Sequence, residues 1–156
     1  MHRLQRMHSS SQPSPINVAA ALIFRERRIL LTQRSPSRDY GWAWESPGGK
    51  LEPGESIVEA LARELHEELG VTCDESQLRQ SKPWLVVSVS ELLNQHRPAR
   101  VHFFVVDIAN QCPMALDAVG IGWFTLAELM HLHVTPANAA VRACNLFREL
   151  PGFYAV

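Results

Sequence analysis

Between Gly49 and Val71 the chain reads GKLEPGESIVEALARELHEELGV, and no other segment constrains the fold as tightly. At about 3.6 residues per helical turn, Ile57, Val58, Leu61, Leu65 and Leu69 fall on one arc. That spacing predicts a helix with one buried side. Gly70 follows as a C-terminal stop. Glu64 and Glu68 fall beside the arc and Glu67 slightly further round, with Arg63 inside the acidic run and Glu55 in the Gly- and Pro-rich approach.

Two readings of these acids compete. On a solvated helix face, Arg63 would support Glu67 at i,i+4 by roughly 0.2–0.5 kcal/mol. Carboxylates at i, i+3 and i+4 on the border of a buried face, however, repel one another unless a cation sits among them. Hard oxygen ligands of this kind suit Mg²⁺ or Mn²⁺. The spacing therefore favours a metal site.

The same segment resembles the Nudix box, G-x5-E-x7-R-E-U-x-E-E-x-G-U, where U is aliphatic. Gly49, Glu55, Arg63, Glu64, Leu65, Glu67, Glu68, Gly70 and Val71 fill every specified position. The resemblance implies an α/β fold, the Nudix α/β/α sandwich with a mixed β-sheet. It also implies Mg²⁺- or Mn²⁺-dependent hydrolysis of a nucleoside diphosphate linked to another group. By the same resemblance Glu64, Glu67 and Glu68, with the carbonyl of Gly48, hold the metal, while Arg63 and Glu55 orient the glutamates. One of the box glutamates or Asp117 accepts a proton from the attacking water. His66, interrupting the acidic run, is expected to face solvent.

The rest of the chain fits one domain. With 156 residues, 46% of them hydrophobic, there is enough apolar material for a single core. Residues 1–15, MHRLQRMHSSSQPSP, are polar, Ser/Pro-rich and free of acids, which predicts a disordered tail before a domain over 16–156. The tail has no apolar stretch of the secretory kind, although its arginines and serines leave a short transit peptide open. No run is long enough to span a membrane. A net charge of −1 argues against a broad nucleic-acid surface and suits a small nucleotide. Cys73, Cys112 and Cys144 are odd in number and widely spaced, the pattern of reduced thiols in a cytoplasmic protein. They are expected to be small buried residues rather than ligands. A homodimer is left open.

The elements follow from local pattern. NVAAALIF and RERRILLTQR read as two strands around a charged turn at Arg25 to Arg28, and SPSRDYGWAWESPGG as a loop into the acidic helix. PWLVVSVSELL and RVHFFVVDI read as longer strands separated by a polar turn, NQHRPA. A brief strand at Ile121 to Phe124 precedes TLAELMHL, with Thr125 as N-cap. A last helix runs from Pro136 to about Leu150, with Thr135 as cap and Pro136 at its first position.

Substrate choice lies outside the box. The chain resembles the MutT-type branch, which hydrolyses nucleoside triphosphates. WESPGGKLEPGES is similar to that branch's WEFPGGK approach, with Ser46 in place of a Phe that lies near the base pocket. Arg34 matches an Arg used in nucleotide recognition, and Asp117 falls where the branch carries an additional acid at the metal. GWFTLAEL followed by TPAN matches the branch's ending, so Asn138 corresponds to the residue that reads a purine edge. An Asn amide carries both a donor and an acceptor for such an edge. Gly48 and Gly49 allow backbone to approach a metal or phosphate, or simply make a tight turn. Lys50 could meet a phosphate as a point charge. Each of Arg34, Lys50 and Asn138 has a plain alternative: a surface charge, a solvated loop, a local backbone bond. Arg97 and Arg100 lie near a nucleotide-contacting position or are solvated hairpin charges, and Trp123 is expected in the core. Features of the coenzyme A, NADH and dinucleoside polyphosphate branches are incomplete here.

The expectation is hydrolysis of a nucleoside triphosphate, an oxidised one such as 8-oxo-dGTP included, to monophosphate and pyrophosphate. The alternatives are another nucleoside diphosphate-linked substrate, or a nucleotide-sensing domain without turnover. The intact acid set favours the enzyme.

Overall fold

A computed structural model describes residues 14–92 and 97–144. Nearly all of the expected tail, residues 93–96 with the first half of the polar turn, and the later part of the expected last helix lie outside the described residues. The elements are β1 (Ile16–Arg25), β2 (Arg28–Gln33), β3 (Trp44–Glu45), β4 (Gly48–Lys50), α1 (Ile57–Leu69), α2 (Glu75–Gln80), β5 (Leu85–Leu92), β6 (Arg97–Val106), β7 (Gly120–Phe124), α3 (Leu126–Leu129) and α4 (Pro136–Ala143).

Strand β1 organises the molecule. It runs parallel to β6 from Ile16↔Ala99 to Ile23↔Val106, and β5 pairs antiparallel on the far side of β6. On its other edge β1 changes partner along its length. Val18 to Ala20 pair with β4, whereas Phe24 and Arg25 pair with β2. Where the partners part, the Ala21 amide donates to the carbonyl of Pro47. β2 in turn carries β3 and β7, both antiparallel.

The sheet is covered on both faces, which explains why β1 is apolar without alternation. Ala19, Ala21 and Ile23 pack with Leu61, Leu65 and Leu69 of α1. Ala20 and Leu22 pack with Val141 of α4, Leu129 and Val134. The result is the expected α/β/α sandwich with a mixed sheet.

Local chemistry sets the helix ends. The Ser56 hydroxyl accepts from the Glu59 amide at 3.3 Å while the Glu59 carboxylate accepts from the Ser56 amide at 2.8 Å. This reciprocal capping box satisfies two amides that would otherwise lack partners. Gly70 closes α1 in the left-handed region at φ 68°. Thr125 and Glu128 make a second box at α3. The β1–β2 turn places both Glu26 and Arg27 at positive φ, the two-residue hairpin whose twist matches the strands.

Several expectations are corrected. The approach to the box is not one loop, because Trp44–Glu45 pair with β2 and Gly48–Lys50 pair with β1. Residues 97–99 belong to β6 rather than to the turn. Helix α2 was not expected, although Asp74 caps it in the ordinary way by accepting from the amides of Ser76 and Gln77. Thr135 stands at the N-cap of α4, yet its side chain makes no cap bond. None of the three cysteines is fully buried: Cys112 is exposed and the other two are intermediate. No helix among the described residues is long and apolar enough to cross a membrane.

Removing the α1 cap tests the local account. Ser56→Ala should lower the unfolding free energy by about 1 kcal/mol. Denaturant titration reads this directly, and an unchanged midpoint would show that the box contributes nothing.

Candidate active site

Arg63 sits at the centre of the acidic residues. Its Nε and Nη2 donate to the two carboxylate oxygens of Glu55 at 2.9 and 3.0 Å. Nη1 donates to Glu64 at 2.9 Å and to Glu67 at 3.2 Å, and Nη2 also reaches the Lys50 carbonyl at 3.0 Å. A planar fork with fixed donor directions can hold several carboxylates in one arrangement. Donation to Glu55, above all, raises the Arg63 pKa further above its ordinary value, and accepting from Arg63 lowers that of Glu55. Both groups are held charged.

Glu68 lives in a different environment. The Gly48 amide donates to its Oε2 at 3.0 Å. Burial, reinforced by the negative charges of Glu64, Glu45 and Asp117, pushes its pKa up to about 7 despite the Gly48 bond. A carboxylate desolvated among like charges is the place where a divalent cation would be stabilised most.

The glycines make room for this. Gly48 has φ 145°, and a Cβ there would stand 2.1 Å from the Ala19 carbonyl oxygen. A Cβ on Gly49 would stand 2.1 Å from Glu64 Oε1. Gly49 is therefore the recess that receives the Glu64 carboxylate. Among the described residues, no three His, Cys, Asp or Glu side chains already converge as a metal cage. Arg63 takes up Glu64 and Glu67, and Gly48 takes up Glu68. The donor set still fits a hard divalent ion: carboxylate oxygens, a recess that a Cβ would fill, and a half-buried acid under like-charge repulsion.

The remaining candidates divide. Asp117 stands near enough for its charge to act on Glu68, on a segment bonded at both sides. The Met114 and Leu116 amides donate to the carbonyls of Leu69 and Glu68, and the Val119 amide donates to the Gln33 carbonyl. Asp117 itself is exposed and faces Arg38 at 3.6 Å. Arg34 is no surface charge: Nη1 donates to Glu45 at 2.7 and 2.8 Å, and Nε to the Asp39 carbonyl at 2.7 Å. Lys50 is exposed, as are Glu67 and His66. Trp123 packs partly against the core, under the Arg25 guanidinium. Arg97 bonds Ser14, and Arg100 is exposed.

Ser46 and Asn138 meet each other. The Trp44 amide donates to the His133 carbonyl and the Thr135 amide to the Trp44 carbonyl, which stitches β3 to the start of α4. Asn138 Oδ1 then accepts from the Ser46 amide and the Thr135 hydroxyl, each at 3.2 Å, and Nδ2 donates to Ser46 Oγ at 2.9 Å. A backbone amide can only donate, so it fixes which way the Asn138 side chain is turned. The acceptor expected to read a base is spent inside the protein. One Nδ2 hydrogen is left.

Glu45 is the residue that sequence reasoning missed. It lies in the WESPGG approach, beside Ser46, and its charge is felt at Glu68. The available signal was its place next to Trp44 in a two-residue strand, where alternation turns the two side chains to opposite faces.

Comparison with known proteins places this geometry. The family model described as NUDIX domain matches residues 13–144. The CTP pyrophosphohydrolase of Escherichia coli is 54% identical over 56 residues, which are 36% of this chain and 42% of that protein. A putative 8-oxo-dGTP diphosphatase 2 of Mycobacterium tuberculosis is 31% identical over 135 residues, covering 86% of this chain and 90% of that one. Among solved structures, a MutT NUDIX hydrolase from Burkholderia pseudomallei superimposes with a TM-score of 0.70 at 25% identity, over 83% of this chain and 96% of the other. With a family match from residue 13 to 144 and a relative aligned along nearly its whole length, the chain belongs to the Nudix family.

Proposed function

We propose that this chain is a divalent-metal-dependent hydrolase that cleaves a nucleoside triphosphate, of CTP or 8-oxo-dGTP type, to the monophosphate and pyrophosphate. The observation that carries the reading is the half-buried Glu68 carboxylate, bonded to the Gly48 amide and near the charges of Glu64, Glu45 and Asp117. The names of the similar proteins, a CTP pyrophosphohydrolase and a putative 8-oxo-dGTP diphosphatase, support a triphosphate.

Glu64, Glu67, Glu68 and the Gly48 carbonyl would hold Mg²⁺ or Mn²⁺. Such an ion supplies charge neutralisation at the phosphates and a more acidic water. The chain's own residues do the rest. Glu55 holds Arg63, and Arg63 aims Glu64 and Glu67. Gly49 admits the Glu64 carboxylate. A box glutamate or Asp117 takes the proton of the attacking water. Arg34 and Lys50 face the nucleotide's phosphates or sugar, while Ser46 and Asn138 form the base end, with the spare Asn138 N–H as its donor. We place the protein in the cytoplasm, where its three free thiols would stay reduced.

A nucleotide panel tests the reading. With Mg²⁺, triphosphates among 8-oxo-dGTP, dGTP and CTP should yield monophosphate and pyrophosphate faster than an ADP-sugar is cleaved, and chelation should stop turnover. The proposal fails if a panel member binds and none releases pyrophosphate or phosphate.

Two substitutions test the residues. Glu67→Gln should lower kcat by about two orders of magnitude with the melting temperature held. Gly49→Ala should displace the Glu64 carboxylate and cost about a hundredfold in kcat. Wild-type kcat in Gly49→Ala would show that the recess has no bearing on turnover.

A further inference from the structure

The three arginines around the acidic residues are unequally occupied. Arg63 donates to Glu55, Glu64, Glu67 and the Lys50 carbonyl. Arg34 donates to Glu45 and the Asp39 carbonyl. Arg38 makes no side-chain hydrogen bond among the described residues: it faces Asp117 at 3.6 Å and acts through its charge on Glu45, and 58% of its side chain is in solvent. That distance is beyond hydrogen-bond reach, and an exposed pair of this kind contributes little. Arg38 therefore has spare donors and little to lose by turning.

Its position is well defined all the same. The connection from Arg34 to Ala43 is closed at its base, where the Arg34 amide donates to the Ala43 carbonyl and the Trp42 amide to the Arg34 carbonyl. Within it, the Arg38 amide donates to the Ser35 carbonyl. Arg34 Nε clasps the carbonyl of Asp39, the next residue after Arg38. Tyr40 and Trp42 both adopt positive φ, at 55° and 66°. Bulky residues persist in that region only where the surroundings impose it. At the other side, Asp117 lies between Leu116, bonded to the Glu68 carbonyl, and Val119, bonded to the Gln33 carbonyl. Arg38 thus stands at the edge of the acidic group on a shaped loop, with a planar fork that matches phosphate oxygens.

We propose that Arg38 is a polyphosphate-binding residue whose contact with Asp117 is a resting pair, exchanged for phosphate oxygens when a nucleoside triphosphate enters. The exchange releases the Asp117 carboxylate toward the acids at the moment a cation and substrate arrive. This inference rests on the reading of the site as a triphosphate hydrolase.

The experiment is a calorimetric titration of inorganic pyrophosphate with Mg²⁺ into the full chain, beside steady-state kinetics on the best triphosphate of the panel. Arg38→Ala should weaken pyrophosphate binding about tenfold or more and raise KM to a similar extent, with kcat within about threefold of wild type. Arg38→Lys should recover part of the loss. Arg28→Ala removes an exposed arginine paired instead with Glu128, and should bind pyrophosphate like wild type. Unchanged pyrophosphate affinity and KM in Arg38→Ala, in an active wild type, would overturn the inference and leave the hydrolase reading standing. Equal losses in Arg28→Ala and Arg38→Ala would also overturn it, as a general effect of net charge. A wild type that turns over no triphosphate would remove the hydrolase reading and this inference with it.

Discussion

The Arg63 fork is the interaction on which the site depends. Without it, Glu64 and Glu67 on α1 and Glu55 in the approach would be three carboxylates with every reason to point apart. With it, they share one rigid cation whose donors are fixed in a plane. Glu55 is not itself part of α1, so the same fork also ties the approach to the helix, and the Lys50 carbonyl adds β4 to the bundle. Sheet, approach and helix are held in register by one side chain.

A second constraint comes from β1. A strand that pairs with β4 at one end and β2 at the other must leave a place where the two partners diverge. Pro47 and Gly48 occupy it. Gly48, in β4, stands opposite Ala20 of β1, and its amide donates to Glu68. The fold thereby delivers a neutral hydrogen-bond donor to an otherwise anionic position.

The sequence disclosed what local physics decides. Helix α1 was legible from its apolar arc and Gly70, and β1 and β2 from their apolar runs. Strand β4 was not, because Gly-Gly-Lys has little strand preference of its own and is extended only by pairing with β1. Helix α2 is too short for a periodic signal. The cysteines were misplaced because composition says nothing about which small residue a fold leaves outside. The candidate site shows the same division: the box acids were readable as a pattern, but the Arg34–Glu45 pair and the Ser46–Asn138 pair join residues brought together by β3. Ser46 and Asn138 are 92 positions apart in sequence, and no spacing rule could have shown that each spends the other's hydrogen bonds.

The carbonyls of Glu68 and Leu69 are satisfied by Leu116 and Met114, far along the chain. The final turn of α1, which bears Glu67 and Glu68, is therefore anchored by a long-range contact rather than by its own cap alone. A peptide containing the whole box would carry every acid and still lack this clasp. The acidic face of the helix is in that sense held in place by the connection between β6 and β7 as well as by the helix itself.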